Sequence, residues 1–276
     1  MSAGLIAVCV APHAPRMAVE ERAPAFQKGL LDGLKEMGRE LRAMEPDLFV
    51  VNSAHWVSTF NWYATLQDPH RGVCVAAEAP DLIPGLPYQR KGDPAFGRAF
   101  LAALTAADIP ALANDSPHYA WDYAGLVPLL HMDPDGAIPV VQIPNVICAD
   151  LDESLRVGRL VDQAATAAGR RAVFVASNAL SHDVVRGPEI WPTAERMELD
   201  RQLIGHLERG AVDMLIDWLP AYSRDARAEM GGKILATMCG ALAALQERAG
   251  PLAGRLYGSY AQSSGSGNAS IAVRPC

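Results

Sequence analysis

The sequence lacks the features that mark several classes of protein. It has 24 Lys and Arg residues against 31 Asp and Glu residues, a net charge of −7, and no basic run. A protein of this charge is poorly suited to binding nucleic acid or an anionic membrane surface. No apolar stretch approaches the roughly 18 residues of a membrane span, and the apolar first ten residues carry no basic n-region of a signal peptide. We therefore expect no nucleic-acid partner and no membrane partner.

Cysteine is also scarce and dispersed. The chain has five cysteines and no Cys-x-x-Cys pair: Cys9, Cys74, Cys148, Cys239 and Cys276. An odd, scattered set is typical of free thiols in a reducing compartment, and it argues against a disulfide framework or a thiolate zinc site. The expected location is the cytoplasm.

Short apolar runs alternate with segments of helical periodicity along the chain. Between residues 26 and 44, for example, apolar residues recur every three or four positions, as on one face of a helix. Strands are predicted at 5–10, 48–51, 111–113, 138–143, 172–176 and 269–273. Helices are predicted at 26–44, 94–107, 125–131, 151–168, 193–209, 212–219 and 233–248. Because of Pro139, the strand at 138–143 should either lie at the edge of the sheet or have the proline at its start.

This alternation predicts an α/β fold with a mainly parallel central sheet flanked by helices. The segment 56–92 is richer in turns and aromatic residues, which favours a small excursion of hairpins and loops. No linker is evident, so we expect one domain over residues 1–276.

Three of the seven histidines follow predicted strands. His13 follows the first strand, His55 the second, and His182 the strand at 172–176. Residues just past the carboxyl ends of parallel strands share one edge of the sheet, where ligands bind. The pattern therefore favours convergence on one site, although each histidine could instead be an ordinary structural hydrogen-bonding residue.

A metal site built on these histidines would need a carboxylate. No cysteine lies nearby and no His-Glu-x-x-His helix is present. Two imidazoles and one carboxylate form the facial triad of non-haem iron(II) oxygenases, but some zinc hydrolases use the same ligand types. Glu229, in Arg-Ala-Glu-Met-Gly-Gly, is a candidate because the glycines allow close backbone approach. The alternative is a solvated glutamate.

Eight short motifs, in this order, resemble those of the class III extradiol ring-cleavage dioxygenases. They are Ala-Pro-His-Ala-Pro (11–15), Gly-Leu-Leu-Asp-Gly-Leu-Lys-Glu (29–36), Asp-Leu-Phe-Val-Val-Asn-Ser-Ala-His-Trp (47–56), Asp-Tyr-Ala-Gly-Leu-Val-Pro (122–128), Ala-Ser-Asn-Ala-Leu-Ser-His (176–182), Leu-Pro-Ala-Tyr (219–222), Ala-Glu-Met (228–230) and Ser-Ser-Gly-Ser-Gly-Asn-Ala (263–269). The resemblance is greatest to the branch of homoprotocatechuate 2,3-dioxygenase and the catalytic subunit of 2-aminophenol 1,6-dioxygenase.

The resemblance implies a role for each candidate residue. His13, His55 and Glu229 occupy the Fe(II)-ligand positions, His182 the acid–base position, and Tyr123 a second active-site position. A more distant branch has a second histidine where this chain has Tyr123, so an acid–base mechanism using two histidines is not expected. A tyrosine that only anchors a buried loop is the alternative for Tyr123.

The implied reaction is extradiol cleavage of a catechol or a 2-aminophenol, with both atoms of O2 incorporated. Trp56 and His118 are predicted to line the substrate pocket, although His118 fits an exposed loop equally well. The resemblance also implies a homo-oligomer, or a hetero-oligomer with a sister subunit. Two alternatives stay open: a non-catalytic binding protein or partner subunit of the same fold, and a zinc hydrolase.

Overall fold

The computed structural model describes residues 3–276, which form a six-stranded sheet, two small two-stranded sheets and seven α-helices. The strands are β1 Gly4–Ala11, β2 Leu48–Ser58, β3 Trp62–Thr65, β4 His70–Cys74, β5 Leu86–Arg90, β6 Ala111–Asn114, β7 Val140–Val146, β8 Arg171–Ser177, β9 Leu252–Ser263 and β10 Ser266–Pro275. The helices are α1 Lys28–Ala43, α2 Pro94–Ala106, α3 Tyr123–Met132, α4 Leu151–Ala167, α5 Ala194–Glu208, α6 Val212–Asp225 and α7 Lys233–Ala249.

The central sheet has the strand order β7-β2-β8-β1-β10-β9. The first four of these strands run parallel, and β10 and β9 are antiparallel additions at the other end. The predicted α/β class with a mainly parallel sheet is confirmed. Strand β7 is an edge strand and begins one residue after Pro139, because proline has no N–H to donate to a neighbouring strand.

Helices cover both faces of the sheet. Alternate residues of β1 and β2 enter different apolar clusters: Val8 and Val50 pack with α2, α4 and α7, whereas Cys9 and Val51 pack with α1 and α3. In a parallel sheet that is buried on both faces, each strand is a continuous apolar run in the sequence, which is why β1 and β2 could be predicted.

The carboxyl-terminal part of the sheet differs from the prediction. Strand β9 was not predicted, and β10 extends well beyond the predicted 269–273. The two strands form a long hairpin that turns at Ser264 and Gly265, both with positive φ. β9 contains two glycines and no β-branched residue, so apart from Tyr257 and Tyr260 its sequence carries little strand preference. Pairing with β10 determines its conformation.

The predicted excursion is present between β2 and α2. Strands β4 and β5 form an antiparallel hairpin, and β3 pairs in parallel with β6. Within residues 3–276, no helix is both long enough and apolar enough to cross a membrane.

Candidate metal centre

The three histidines singled out in the sequence meet at one edge of the sheet. They lie near the carboxyl ends of three neighbouring parallel strands: His13 near β1, His182 near β8 and His55 near the end of β2. His13 follows β1 and His182 follows β8, as predicted, whereas His55 lies inside β2, within an irregularity in its pairing with β7 between Asn52 and Val57. The carboxyl ends of adjacent parallel strands therefore bring the three imidazoles together.

Glu229 reaches the same place from a short 3-10 segment, Glu229–Gly232, between α6 and α7. The segment leaves helical geometry at Met230, Gly231 and Gly232, which all have positive φ. This sharp turn presents the Glu229 side chain to the sheet edge. There, Glu229 Oε2 accepts a 2.6 Å hydrogen bond from the backbone N–H of Ala179, just past β8.

The other carboxylate oxygen, Glu229 Oε1, faces all three imidazoles. It lies 3.3 Å from His13 Nε2, 3.4 Å from His182 Nε2 and 3.9 Å from His55 Nε2. His13, His55 and Glu229 each offer a ligand atom, and these atoms lie within 4.8 Å of one another. Oε1 is buried and accepts no hydrogen bond from residues 3–276. A buried, unpartnered carboxylate oxygen is costly unless a cation satisfies it.

The tautomer of His13 also fits a cation. Its Nδ1 lies 3.2 Å from Ser177 Oγ, and that hydroxyl donates to the carbonyl oxygen of Ala124 at 2.6 Å. Since the hydroxyl proton is already used, Ser177 accepts from His13 Nδ1–H. The Nε2 lone pair of His13 is then free to bind a metal.

The second histidine ligand is arranged similarly by a different group. His55 Nδ1 lies 3.1 Å from the Glu78 carboxylate, which can only accept when ionised. His55 Nε2 consequently carries the lone pair. The Tyr123 hydroxyl donates to it at 2.8 Å, and a metal bound at Nε2 would take the place of this hydrogen bond, because an imidazole nitrogen has one lone pair. The residues present thus fit a divalent cation bound by two imidazoles and one carboxylate.

The electrostatics give these groups the protonation states that metal ligands require. Burial disfavours ionisation of Glu229, but the neighbouring His13, His182 and His55 outweigh it and lower the carboxyl pKa to about 2. Burial, together with the charge of His13, lowers the pKa of His55. Glu229 is therefore a carboxylate and His55 a neutral imidazole near pH 7, as metal binding demands.

Tyr123 is fixed beside the ligands by the start of α3. Asp122 caps that helix by accepting from the backbone N–H of Gly125, and it also accepts a 2.7 Å hydrogen bond from Ser53 Oγ on β2. This places Tyr123, the first residue of α3, against His55. Burial raises the pKa of the Tyr123 phenol, so the side chain remains a hydroxyl.

His182 is held by a short extended segment rather than by β8 itself. Its backbone N–H donates to the carbonyl oxygen of Arg227, and it forms an isolated β-bridge with Ser266 of β10. Its neighbour Ser181 hydrogen-bonds to the buried carboxylate of Asp200 through both its backbone N–H and its hydroxyl. The imidazole keeps 31% of its surface exposed, so it can contact a bound molecule.

A cavity of about 250 Å³ opens above this centre. Its lining includes His13, His55, Tyr123, His182, Ala79, Leu82, Arg16, Ser263, Ser264, Ser266 and Asn268. Arg16 is exposed, and in the described part of the chain no acidic side chain lies within 4 Å of its guanidinium. The cavity thus has a histidine-rich end and polar groups elsewhere in its lining.

Trp56 and His118, predicted to line the substrate pocket, do not line this cavity. Both line a second cavity of about 320 Å³ with Tyr63, Asn114, Ser116 and Tyr119. Successive residues of a strand point to opposite faces, so Trp56 is directed away from the side occupied by its neighbour His55. The structure therefore does not bring these two residues to the metal centre.

Three residues of the site were not found from the sequence. Ser177 and Glu78 contact the Nδ1 atoms of the histidine ligands, and Arg16 lines the cavity. Arg16 lies only three residues after His13, and this closeness to a candidate ligand is the signal that the sequence offers. Glu78 lies in the irregular segment between β4 and β5, and no pattern in its surroundings indicates that it reaches β2.

Comparisons with known proteins identify the family of the chain. Residues 7–273 match the family described as the catalytic LigB subunit of aromatic ring-opening dioxygenase. The chain is 23% identical over 222 residues to 3,4-dihydroxyphenylacetate 2,3-dioxygenase of Escherichia coli, covering 76% of this chain and 80% of that protein. It is 25% identical over 250 residues to the 2-aminophenol 1,6-dioxygenase beta subunit of a Pseudomonas species, covering 82% and 81%.

A solved structure shares the fold. The crystal structure of an uncharacterized protein from Escherichia coli K12 superposes with a TM-score of 0.68 at 18% identity, covering 97% of this chain and 99% of that one. At this identity the similarity shows the fold alone.

Proposed function

Because the chain belongs to the family of catalytic LigB subunits of aromatic ring-opening dioxygenases, we propose that it is an Fe(II)-dependent extradiol dioxygenase that cleaves a catechol or a 2-aminophenol. The observation that carries this proposal is the buried, unpartnered Glu229 Oε1 facing the Nε2 atoms of His13, His55 and His182. Two imidazoles and one carboxylate are the ligand set of non-haem iron(II) oxygenases.

In this proposal His13, His55 and Glu229 hold the iron. Bound there, Fe(II) would bring an aromatic diol or aminophenol and O2 together and allow electrons to pass between them. The protein residues contribute charge and orientation: Glu229 supplies one negative charge, and Ser177 and Glu78 orient the two imidazoles.

His182 is the proposed acid–base group. Its Nε2 faces the centre, its side chain is partly exposed to the cavity, and imidazole can accept and return a proton near neutral pH. It would take the proton that a ring hydroxyl loses on binding and return it during ring opening. Tyr123 keeps its proton and would donate a hydrogen bond to a bound oxygen atom.

The cavity lining favours a ring with an acidic substituent. Arg16 lines the cavity, and so do four uncharged polar residues: Ser263, Ser264, Ser266 and Asn268. A carboxylate would gain a charge-assisted hydrogen bond from the guanidinium. One relative is named for 3,4-dihydroxyphenylacetate, an acidic catechol.

The main experiment follows dioxygen uptake after anaerobic loading with Fe(II). We expect uptake matched by a new ring-opened chromophore on some catechol or 2-aminophenol. His182→Ala should lower kcat by about 10²- to 10⁴-fold, the usual contribution of a general acid–base group. His118→Ala is the matched control, because that histidine lines the other cavity. Equal losses in the two variants would contradict the assigned role of His182.

Arg16 is tested by comparing substrates rather than by activity alone. In wild type we expect kcat/KM to favour 3,4-dihydroxyphenylacetate over 4-methylcatechol. Arg16→Gln should reduce that preference about fivefold, close to 1 kcal/mol for an exposed ion pair, with the neutral catechol unaffected. A preference that is unchanged in Arg16→Gln would remove Arg16 from substrate recognition.

A non-catalytic partner subunit is the second candidate. One relative is named as a beta subunit of an enzyme, and we propose that this chain also assembles, either with itself or with a sister subunit. Its intact ligand set favours catalysis. Iron binding without uptake on any substrate, together with activity restored by a sister chain, would support the second candidate.

A further inference from the structure

Glu78 contacts a proposed metal ligand, and the fold places it there from a distant part of the chain. Its carboxylate lies 3.1 Å from His55 Nδ1, on the ring atom opposite the ligand atom Nε2. Glu78 belongs to the segment between β4 and β5, whereas His55 lies in β2. This contact therefore joins a flanking loop to the metal centre.

We propose that Glu78 is a positioning residue for the metal: it fixes the tautomer of His55 and adds a second negative charge beside the centre. This inference rests on the proposed metal site. A neutral imidazole has one N–H, and a carboxylate beside Nδ1 attracts it there. The opposite tautomer would set the Nδ1 lone pair against the carboxylate oxygen, so His55 presents the lone pair of Nε2 to the metal.

The charge balance supports the same role. A divalent cation bound by Glu229 and two neutral imidazoles retains one positive charge, and the Glu78 carboxylate, 3.1 Å from His55 Nδ1, would partly offset it. The two histidine ligands are not treated alike. His13 is oriented by the neutral, buried hydroxyl of Ser177, whereas His55 is oriented by an ionised side chain that is 54% exposed. The loss of Glu78 should therefore weaken metal binding without opening a hole in the core.

The loop that carries Glu78 also forms part of the cavity wall. Ala79 and Leu82 line the cavity, and the loop is closed by a hydrogen bond from the Ala76 N–H to the Ile83 carbonyl oxygen. The contact between Glu78 and His55 therefore links this wall to the metal ligand. Disrupting it should raise KM for the aromatic substrate as well as weaken metal binding.

The test measures the affinity of the metal-free protein for Co(II) anaerobically, with a competing chelator and the visible absorption of the bound ion. Glu78→Ala should raise the Kd for Co(II) about 10- to 100-fold, the usual effect of losing such a partner. Glu78→Gln keeps a hydrogen-bond acceptor and loses the charge, so its Kd should lie between those of wild type and Glu78→Ala.

The matched control is Asp81→Asn, which removes an exposed negative charge from the same loop without a histidine contact in the described part of the chain. Its Kd should stay within about twofold of wild type, as for a surface charge. All variants should unfold at the same urea concentration when metal-free. If Glu78→Ala binds Co(II) as tightly as wild type, this inference is wrong and the metal site stands. If wild type binds no Co(II), the proposed metal site fails as well.

Discussion

Asp200 offers a sharp test of how the fold positions His182. It is fully buried, and its two oxygens accept four hydrogen bonds: Oδ1 from the Ser181 N–H (3.0 Å) and Tyr222 hydroxyl (2.8 Å), and Oδ2 from the Ser181 hydroxyl (2.7 Å) and Tyr260 hydroxyl (2.6 Å). No cationic side chain in the described residues lies within 4 Å of it. Neutral donors alone therefore stabilise this buried charge, and they hold the residue before His182.

Asp200→Asn should be tolerated. The side-chain oxygen of asparagine can keep accepting from the Ser181 N–H and the Tyr222 hydroxyl. Its NH2 group would donate to the hydroxyls of Ser181 and Tyr260, because a hydroxyl can rotate and accept. The charge-assisted part of these bonds is lost, but so is the cost of burying a carboxylate. We expect a loss of no more than about 2 kcal/mol in the free energy of unfolding.

Asp200→Ala should be far more damaging. It leaves the backbone N–H of Ser181 and the Tyr222 hydroxyl buried without acceptors, at about 1–3 kcal/mol for each unsatisfied group. Together with the space left by the side chain, this gives about 3–5 kcal/mol. Urea unfolding of the metal-free proteins at pH 7 measures the difference. Equal losses for alanine and asparagine, or a loss below about 1 kcal/mol for alanine, would refute this reasoning.

The pH dependence of the stability of wild type and Asp200→Asn gives an independent check. Burial raises the pKa of Asp200 above its ordinary value of 3.8, although the hydrogen bonds from Tyr260, Ser181 and Tyr222 oppose the rise. The folded state then holds its proton at a pH where the unfolded state has lost it. Wild-type stability relative to Asp200→Asn should thus be greatest below the ordinary pKa, and should fall as pH rises to the folded pKa.

Two further predictions concern stability. Gly158→Ala should destabilise the fold by about 1–3 kcal/mol, because the added methyl would overlap the carbonyl oxygen of Thr237 where α4 packs on α7. Gly205→Ala on α5 should be neutral or stabilising, because its methyl would meet only the end of an arginine side chain. Thermal unfolding of both variants tests this, and equal shifts in Tm would contradict the close packing at Gly158. Burial lowers the pKa of His131, despite its hydrogen bond to the Met17 carbonyl oxygen, so stability should fall as pH drops below about 6.5, where only the unfolded state takes up the proton. His131→Gln should flatten that slope in urea unfolding between pH 5 and 8, and an unchanged slope would assign it to other groups.

The fold was largely readable because its buried strands are continuous apolar runs. β1, β2 and β8 and the helix after β1 appear directly in the sequence, and the parallel sheet follows from their alternation with helices. β9 was missed because its glycines and polar residues carry no strand pattern, and its conformation depends on a partner that follows it in the chain.

The residues of the site also divide into those that the sequence pattern indicates and those that only tertiary folding brings together. His13, His55 and His182 could be grouped because strand ends share an edge, and the family resemblance added Glu229 and Tyr123. Adjacency in sequence was misleading for Trp56, because strand alternation turns it away from its neighbour. Glu78 could not be predicted, since only tertiary folding brings its loop to β2.

The most direct test of the account compares wild type with Glu229→Gln, both loaded anaerobically with Fe(II). Glutamine keeps the size of the side chain but removes the charge of the buried oxygen that faces the histidines. We predict that wild type retains one iron per chain and consumes one O2 for each aromatic ring opened, and that Glu229→Gln loses both properties while its metal-free form remains folded. Ring opening by Glu229→Gln at the wild-type rate, or product formation by wild type without O2, would contradict the proposed metal centre and its chemistry.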